Sequence, residues 1–382
     1  MQAQTPQFDY LILGAGLSGL LLAKSLVSDS YFSDKRILII DNSDKTKNDR
    51  TWCFWSENTI PWDSIISKKW NLVKFKSASY DKNIPLKNYS YNKVEGIDFY
   101  KETLALLQAS GQVSFKTENF KELTETEIGV KVVTDQDVYF ANKVFNSILP
   151  PERLKNQNSF PVLQQHFIGW EVKTQEAVFN PEIATLMDFS IEQKGNTRFM
   201  YVLPTSSKTA LVEYTLFSQD LLPDIEYETA IEDYMESLGA SQYEVTAIEK
   251  GCIPMTAYPF EKHNSQNVMF IGTAGGWTRG STGYTFTNSV HKTAALIDFL
   301  KSNSSLNSFK IKDRFRWYDK LFLDVLYRHN EQGAALFTQM FQKNDISKIF
   351  KFLDGTSSVK EDIEIIWSLP KKEFIKSFFG LK

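Results

Sequence analysis

Apolar residues at the start of the chain form short continuous runs that end at polar or glycine residues. The segment 8–13 (FDYLIL) runs into glycines, and the segment 36–41 (RILIID) is a second such run. Short runs without alternation are typical of parallel strands that are buried on both faces. The residues between them, 17–27, have helical character. The pattern therefore predicts a βαβ unit at the start of the sequence.

The middle of the chain follows a different pattern. Short apolar and aromatic segments at 167–172, 197–203 and 210–217 alternate with turns that contain proline and glycine. Such spacing predicts an antiparallel sheet. At 268–272 (VMFIG) another buried strand leads through glycines into a helix from about Tyr284. We expect this late strand to return to the first domain, which is then discontinuous.

The glycines after the first strand form a G-x-G-x-x-G fingerprint at Gly14, Gly16 and Gly19. In a strand–turn–helix context the first glycine permits the tight turn and the second lets the backbone approach a pyrophosphate. The third lets the helix pack on the sheet. Asp41 ends the second strand, where its carboxylate can accept both hydroxyls of an adenosine ribose. The sequence therefore predicts a dinucleotide site at the helix N-terminus.

A second glycine-rich segment, 275–283, favours FAD over NAD as the tightly held dinucleotide. FAD proteins commonly open with a βαβ unit and return to it late in the chain through a second glycine-rich strand–helix junction. We predict that Arg50, Thr273, Gly276 and Gly283 complete the cofactor site begun by the fingerprint.

Carboxylates among apolar neighbours are the candidate catalytic groups. Glu213 lies in the predicted strand 210–217, where alternation places it on one face with Leu211, Thr215 and Phe217. Burial raises the pKa of such a carboxylate, which suits it to donating a proton near neutral pH. The alternative is a glutamate held in a structural role by an arginine or by backbone donors.

Asp188 and Glu171 are two further carboxylates with apolar neighbours, and for both of them a structural role is the commoner one. The run 49–55 (DRTWCFW) joins a charged pair to three aromatic side chains. The faces of its tryptophans, Trp52 and Trp55, can stabilise a cation. Runs of this kind more often pack a core.

Composition and charge exclude several classes of protein. The 382 residues predict two or three domains. With 43 basic and 46 acidic residues the net charge is −3, which argues against a nucleic-acid-binding surface. Cys53 and Cys252 form no Cys-x-x-Cys pair and the four histidines are isolated, so we expect no disulfide framework and no metal site. The 14% of aromatic residues indicates an aromatic-rich core or a lipophilic ligand.

The segment 310–382 carries 14 basic and 10 acidic residues, net +4. It is either a solvated helical subdomain or a surface that docks on anionic lipid. The candidate docking residues are Phe337, Phe341, Phe350, Phe352, Phe378 and Phe379, with Lys348, Lys351, Lys372 and Lys376. We expect no signal peptide and no membrane span, and hence a protein that is soluble or peripheral, and cytoplasmic by default.

Together these patterns predict an α/β protein with three parts. A Rossmann-like, glutathione-reductase-like FAD-binding domain receives an inserted antiparallel-sheet substrate domain and is followed by a C-terminal helical region. The predicted boundaries are 1–75, 96–155 and 254–305 for the FAD-binding domain, 76–95 and 156–253 for the substrate domain, and 306–382 for the helical region.

Seven motifs resemble those of a known family over roughly residues 8–380. They stand in the order found in lycopene β-cyclases of the bacterial carotenoid type. The motifs are 49–55 (DRTWCFW), 169–172 (GWEV), 187–189 (MDF), 199–204 (FMYVLP), 211–218 (LVEYTLFS), 249–255 (EKGCIPM) and 280–286 (GSTGYTF). One departure concerns Gly272-Thr273-Ala274, where many flavoproteins have Gly-Asp-Ala. Thr273 still offers a hydroxyl there.

The resemblance implies cyclisation of the acyclic ends of lycopene, to γ-carotene and then β-carotene. Protonation of the terminal double bond creates a tertiary cation, the neighbouring alkene closes the ring, and loss of a ring proton leaves the β-ring. Glu213 would be the acid and base, at the family's LVE-x-T position, and Asp188 would support the cation with Trp52 and Trp55. Reduced FAD would supply negative charge, NAD(P)H would reduce it, and the enzyme would reach lycopene at the membrane surface.

Two other classes fit parts of the sequence. A redox flavoenzyme acting on a polyprenyl lipid, such as a reductase or monooxygenase, would share the fold but would consume NAD(P)H stoichiometrically. A non-catalytic polyene-binding or membrane-delivery protein would have no use for Glu213 or for a reducible flavin.

Overall fold

The computed structural model describes residues 6–57, 60–302, 304–311 and 313–370. Its strands are β1 (Phe8–Leu13), β2 (Ile37–Asp41), β3 (Thr51–Glu57), β4 (Ile66–Trp70), β5 (Leu72–Ser77), β6 (Tyr80–Pro85), β7 (Tyr89–Glu95), β8 (Val113–Thr117), β9 (Phe120–Thr126), β10 (Gly129–Thr134), β11 (Val138–Asn146), β12 (Leu163–Thr174), β13 (Ile183–Asp188), β14 (Thr197–Pro204), β15 (Thr209–Ser218), β16 (Tyr243–Met255) and β17 (Val268–Phe270). Its helices are α1 (Leu17–Ser28), α2 (Gly96–Ser110), α3 (Glu152–Lys155), α4 (Asp224–Ser237), α5 (Phe286–Leu300), α6 (Phe315–Arg328), α7 (Gly333–Lys343), α8 (Ile346–Leu353) and α9 (Val359–Ser368).

The first sheet contains the βαβ unit predicted from the opening residues. Its strand order is β8-β2-β1-β11-β10-β9, and β17 also pairs with β11. β1 is parallel to β2 and β11, and β17 is parallel to β11 with Val268 opposite Val144. The late strand therefore returns to the first sheet as predicted. Leu11 and Leu38 are fully buried between layers, which explains why these strands read as continuous apolar runs.

The second sheet has the order β16-β12-β15-β14-β13-β5-β6. Its neighbouring strands are antiparallel except for the parallel pair β13 and β5. The predicted domain boundary at residue 75 falls inside β5, which pairs only with this sheet. A smaller antiparallel sheet, β3-β7-β4, pairs residues 89–95 with 51–57 and 66–70. These pairings depend on contacts between distant segments, which the local pattern does not contain.

The two faces of the second sheet are covered by different parts of the chain. Val212 and Tyr214 on β15 face α4, and they pack with Ile231. Leu211 and Phe217 face the other way, toward α7 and α8. The alternation predicted for β15 is thus confirmed, and Glu213 lies on the face toward the C-terminal helices.

The C-terminal helices turn most of their phenylalanines inward. Phe337, Phe341 and Phe350 are buried and pack against the second sheet, so they do not form the lipid-docking surface expected from the sequence. Lys348 forms an ion pair with Glu364. Phe352 is partly buried, and Lys351 Nζ lies 3.7 Å from the carboxylate of Glu361. The remaining candidates, Phe378, Phe379, Lys372 and Lys376, lie outside the described residues. No helix in the described ranges has the length and apolarity needed to cross a membrane.

Candidate active site and cofactor groove

The predicted cofactor residues meet in a groove of about 490 Å³ along the edge of the first sheet, here called the cofactor groove. Strands β1 and β2 end at this edge, and β17 leads into it through the turn after Phe270. Six of the eight predicted residues line the groove: Gly14, Gly16, Asp41, Arg50, Thr273 and Gly283.

Gly16 opens the backbone of the groove to a ligand. It is the N-cap of α1, and its helix has no side-chain cap, so the N–H groups of Leu17 and Ser18 have no partner in the first turn. A Cβ built on Gly16 would meet nothing within 4 Å, which shows open space beside this turn. Unpaired N–H groups, open space and the positive end of the helix dipole together fit a pyrophosphate.

Gly14 and Gly19 shape the turn around that space. Gly14 has φ 94°, a left-handed conformation that favours glycine. A Cβ on Gly19 would lie 2.0 Å from the Gly14 carbonyl oxygen, so Gly19 serves the close packing of α1 on the strand and does not line the groove.

Asp41 holds the far end of the groove. Its carboxylate accepts hydrogen bonds from the N–H of Ala15 (2.6 Å) and of Ser43 (2.8 Å), and pairs with Lys45 Nζ at 3.1 Å. Gly276, by contrast, lies outside the groove. It has φ 68°, and its carbonyl accepts a hydrogen bond from Lys292 Nζ. The prediction that Gly276 lines the cofactor site is therefore wrong, and Gly276 instead occupies a turn beside the groove.

A second cavity of about 170 Å³, here called the acid cavity, lies between the second sheet and helices α7 and α8. The acid cavity and the cofactor groove share a wall. The residues that line both are Thr51, Cys53, Phe167, Glu249, Ile253, Gly283 and Tyr284. A reaction in the acid cavity would therefore take place beside whatever occupies the groove.

Glu213 projects into the acid cavity from β15. Its side chain is buried, and its carboxylate accepts a hydrogen bond from the hydroxyl of Thr215. The pKa of Glu213 is raised from 4.5 to about 8, chiefly because the side chain is buried; the hydrogen bond from Thr215 lowers it, and the nearby carboxylate of Glu249 adds to the rise. Glu213 is therefore a neutral acid at pH 7 and can donate a proton.

Aromatic side chains surround the space in front of Glu213. Trp55 is stacked on Phe350 with ring centroids 4.3 Å apart, and Tyr284 meets Trp55 edge-on at 4.5 Å. The hydroxyls of Tyr91 and Tyr201 are hydrogen-bonded to each other at 2.6 Å. The lining of the cavity is mainly aromatic and aliphatic, so it excludes water, and its aromatic rings can stabilise a cation.

The profile of the family described as "Lycopene cyclase protein" matches residues 9–378, nearly the whole chain. The chain belongs to the lycopene cyclase family.

Two relatives in this family show how distant the sequence similarity is. A lycopene beta-cyclase of Pantoea ananas is 23% identical over 345 residues, with 85% of this chain and 83% of that protein covered. A lycopene beta-cyclase of a Paracoccus species is 22% identical over 383 residues, with 95% and 94% covered.

Solved structures with the same fold include a reductase-like protein and a flavin-dependent enzyme. A geranylgeranyl bacteriochlorophyll reductase-like protein of Thermoplasma acidophilum has a TM-score of 0.61 at 12% identity, with 99% of this chain and 100% of that chain covered. The flavin-dependent brominase Bmp2 has a TM-score of 0.60 at 14% identity, with 91% and 93% covered. These similarities confirm the predicted α/β flavoprotein fold with its C-terminal helical region.

Within this member of the family, Asp188 is not brought to the acid cavity. Leu186 and Met187 line the cavity, whereas Asp188 contacts Tyr234 of α4 and therefore lies on the far side of the sheet. There it accepts hydrogen bonds from Ser190 Oγ (2.6 Å) and Tyr234 Oη (3.0 Å), and Lys76 Nζ is 3.4 Å away. The expectation that Asp188 supports the cation is therefore not met, and Asp188 has a structural role between the second sheet and α4.

The two tryptophans expected to act together are also separated. Trp52 lines the cofactor groove and Trp55 lines the acid cavity. Glu171 pairs with Lys93 Nζ at 2.9 Å, which is a structural ion pair.

Glu249 is a site residue that the sequence reasoning missed. It lies on β16, it borders both the acid cavity and the cofactor groove, and burial raises its pKa. The N–H of Thr51 donates a hydrogen bond to its carboxylate at 3.2 Å. The available signal was its place at the head of the 249–255 motif, but nothing in the local pattern brings it near Glu213.

Proposed function

We propose that the chain is a lycopene β-cyclase, an FAD-dependent isomerase that closes the acyclic ends of lycopene to give γ-carotene and then β-carotene. The observation that carries this proposal is a buried carboxyl group, protonated at neutral pH, in an aromatic cavity that shares a wall with a dinucleotide groove. Membership of the family and the names of the two relatives support lycopene as the substrate.

The cofactor groove has the residues that FAD requires. The uncapped first turn of α1 at Gly16 would hold the pyrophosphate, and Asp41 would accept the ribose hydroxyls in exchange for its contact with Lys45. Gly283 belongs to the wall shared with the acid cavity and would border the flavin end, and Thr273 offers its hydroxyl along the groove. Reduced FAD would supply negative charge beside that cavity, with NAD(P)H as its reductant.

Glu213 begins the reaction as a general acid. Its neutral carboxyl can face an apolar alkene without the cost of burying a charge, and it delivers its proton to the terminal double bond. The tertiary cation that results is then attacked by the neighbouring alkene, which closes the six-membered ring.

The surrounding residues protect and stabilise the cation. After proton transfer Glu213 is a carboxylate, so an anion is left beside the positive carbon. The rings of Trp55 and Tyr284 exclude water, which would otherwise capture the cation as an alcohol. Glu249 lies on the wall toward the cofactor groove, where its carboxylate adds to the rise in the pKa of Glu213 that burial chiefly causes.

Glu213 also ends the reaction, as the base that removes the ring proton. A carboxylate whose conjugate acid has a pKa of about 8 is a stronger base than an ordinary glutamate. One proton is given and one is recovered, so the product is an isomer of the substrate and the acid is regenerated.

The deciding experiment incubates the purified protein with lycopene under anaerobic conditions and reduces FAD with dithionite in place of NAD(P)H. We expect β-carotene or γ-carotene, with the mass of lycopene, by chromatography and mass spectrometry. A product that differs by two hydrogens or by one oxygen would instead assign the protein to the redox flavoenzymes.

A further inference from the structure

A third cavity lies between helices α6, α7 and α9 and is here called the outer cavity. Its volume is about 520 Å³, and aliphatic and aromatic side chains dominate its lining. Four residues line both this space and the acid cavity: Thr282, Phe337, Met340 and Leu353. The outer cavity therefore adjoins the chamber that contains Glu213 and extends from it toward the protein surface.

The rim of the outer cavity is apolar where a surface helix is normally polar. On α9, Val359, Ile363 and Trp367 recur every four residues and form one stripe, with exposed fractions of 56%, 48% and 63%. The opposite face of α9 packs into the molecule, since Ile365 is buried in the core that covers the second sheet. Across the opening, α6 contributes the exposed ring of Trp317. These four side chains are here called the rim.

The two helices that form the rim are joined by one buried carboxylate. Asp362 on α9 accepts hydrogen bonds from Arg314 Nε at 2.8 Å and from Tyr318 Oη at 3.2 Å. Tyr318 follows Trp317 directly, so this contact fixes one tryptophan of α6 relative to the stripe on α9. The contacts of Asp362 therefore fix the positions of α6 and α9 on the two sides of the opening.

The exposed charges of α6 and α9 near the rim that form no ion pair among the described residues include two lysines, because the acidic side chains of α9 are paired. The acidic residues of α9 are engaged, since Glu361 lies 3.7 Å from Lys351 and Glu364 pairs with Lys348. Lys320 on α6 and Lys360 on α9 are exposed, and neither forms an ion pair within the part of the chain that the structure describes. An apolar stripe flanked by exposed lysines complements a surface of anionic lipids.

We propose that the rim docks on an anionic lipid bilayer and that the outer cavity conducts a long apolar chain from the bilayer to Glu213. Tryptophan is the residue most typical of the membrane–water interface, and Trp317 and Trp367 stand on the two sides of the opening. A protein seated on the rim would close the opening, whereas a bilayer would extend the outer cavity into hydrocarbon. The proposal that the rim is a docking surface depends only on the observed geometry. The identity of the apolar molecule that enters the outer cavity rests on the proposed function.

The test measures binding of the full chain to vesicles of phosphatidylglycerol and of phosphatidylcholine, without substrate. The variant Ile363→Asp places a charge at the centre of the rim, and we expect it to weaken binding to phosphatidylglycerol vesicles by about tenfold or more. The matched control is Ile225→Asp on α4, where an isoleucine with 64% exposure lies on the other face of the second sheet. We expect this control to bind like the wild type.

Two further measurements make the result decisive. Wild-type binding should weaken with salt, and a double replacement of Lys320 and Lys360 by glutamine should remove the preference for the anionic lipid. Circular dichroism verifies that each variant is folded. Val359→Asp, on the same stripe of α9, is a second rim variant in case Ile363→Asp does not fold. Equal vesicle binding by the folded rim variants and the wild type would overturn the proposal. The proposal would also be overturned if the wild type were a dimer in sedimentation velocity and the rim variants were monomers that still bound vesicles. In that case the rim would be the interface between two copies of the protein.

The assay also separates this inference from the proposed function. Vesicle binding does not require turnover, so rim-dependent binding by a protein that fails to cyclise lycopene would refute the cyclase assignment alone. Cyclisation of detergent-dispersed lycopene by a protein that binds no vesicles would refute the docking surface alone.

Discussion

Glu213 and Glu249 stand in register on the two sides of Gly169. Strand β12 lies between β15 and β16, and Gly169 is paired with Glu213 on one side and with Glu249 on the other. Adjacent strands are about 4.8 Å apart, so the two glutamate backbones are separated by roughly 10 Å. A Cβ on Gly169 would lie 3.0 Å from Leu211 Cδ1 and 3.4 Å from the Cβ of Glu213, so glycine lets the side chains of β15 pack closely over β12.

This arrangement adds to the effect of burial, which is the main reason that the carboxyl group of Glu213 stays protonated. The two glutamates are in register on one face of the sheet and both are buried, so ionisation of one opposes ionisation of the other. The pair favours a single shared negative charge over two.

Replacement of Glu213 by glutamine should abolish most of the cyclisation. The amide retains the size of the side chain but has no proton to donate, so we expect a loss of at least about 100-fold in kcat. FAD binding should persist, because Glu213 lines the acid cavity and not the cofactor groove. The control is Asp188→Asn, on the opposite face of the sheet, which should affect stability more than turnover. Near-normal turnover by Glu213→Gln would show that the acid is another group.

The pH dependence of kcat/KM should show the effect of Glu249 on the pKa of Glu213. Since the protonated form of Glu213 is the active one, the rate should fall as the pH rises through about 8. Glu249→Gln removes the like charge that raises the pKa of Glu213, so the alkaline limb should move to lower pH. An alkaline limb at the same pH in the variant and the wild type would contradict the coupling.

The raised pKa of Glu213 also predicts an effect on stability. Between pH 4.5 and about 8 the folded state binds this proton more tightly than the unfolded state, so the free energy of unfolding falls as the pH rises. Glu213→Gln lacks this dependence and should be more stable than the wild type at pH 7, by on the order of 3 kcal/mol. Denaturant unfolding at pH 5 and pH 7 measures the difference, which should shrink toward pH 5. A difference that does not vary with pH would count against the raised pKa.

Replacement of Gly16 by valine should abolish FAD binding without unfolding the protein. Gly16 has φ −81° and ψ −170°, an extended conformation that valine adopts readily. The branched side chain would fill the open space beside the first turn of α1, where the pyrophosphate is expected. Flavin absorbance after purification measures binding, with Glu213→Gln as the variant that retains it. Wild-type affinity for FAD in Gly16→Val would place the cofactor elsewhere.

The sequence by itself determined the features that depend on short-range spacing. Three glycines within six residues, between two apolar runs, specified the turn that opens the cofactor groove. Alternation along 210–217 specified the face of Glu213, because side-chain direction within a strand has a period of two residues. Both features are local, and no information about the rest of the fold is needed to read them.

Only the tertiary structure decided which of those faces meet. Asp188 was expected at the site, but its strand turns Met187 to the acid cavity, and the order of strands decides which face is the inner one. Glu249 reaches the site because β12 separates it from Glu213 by a single strand. In the same way the phenylalanines of α7 and α8 pack inward while Ile363 and Trp367 face outward. A periodic apolar pattern shows that a helix has an apolar face, but what covers that face is settled by elements far away in the sequence.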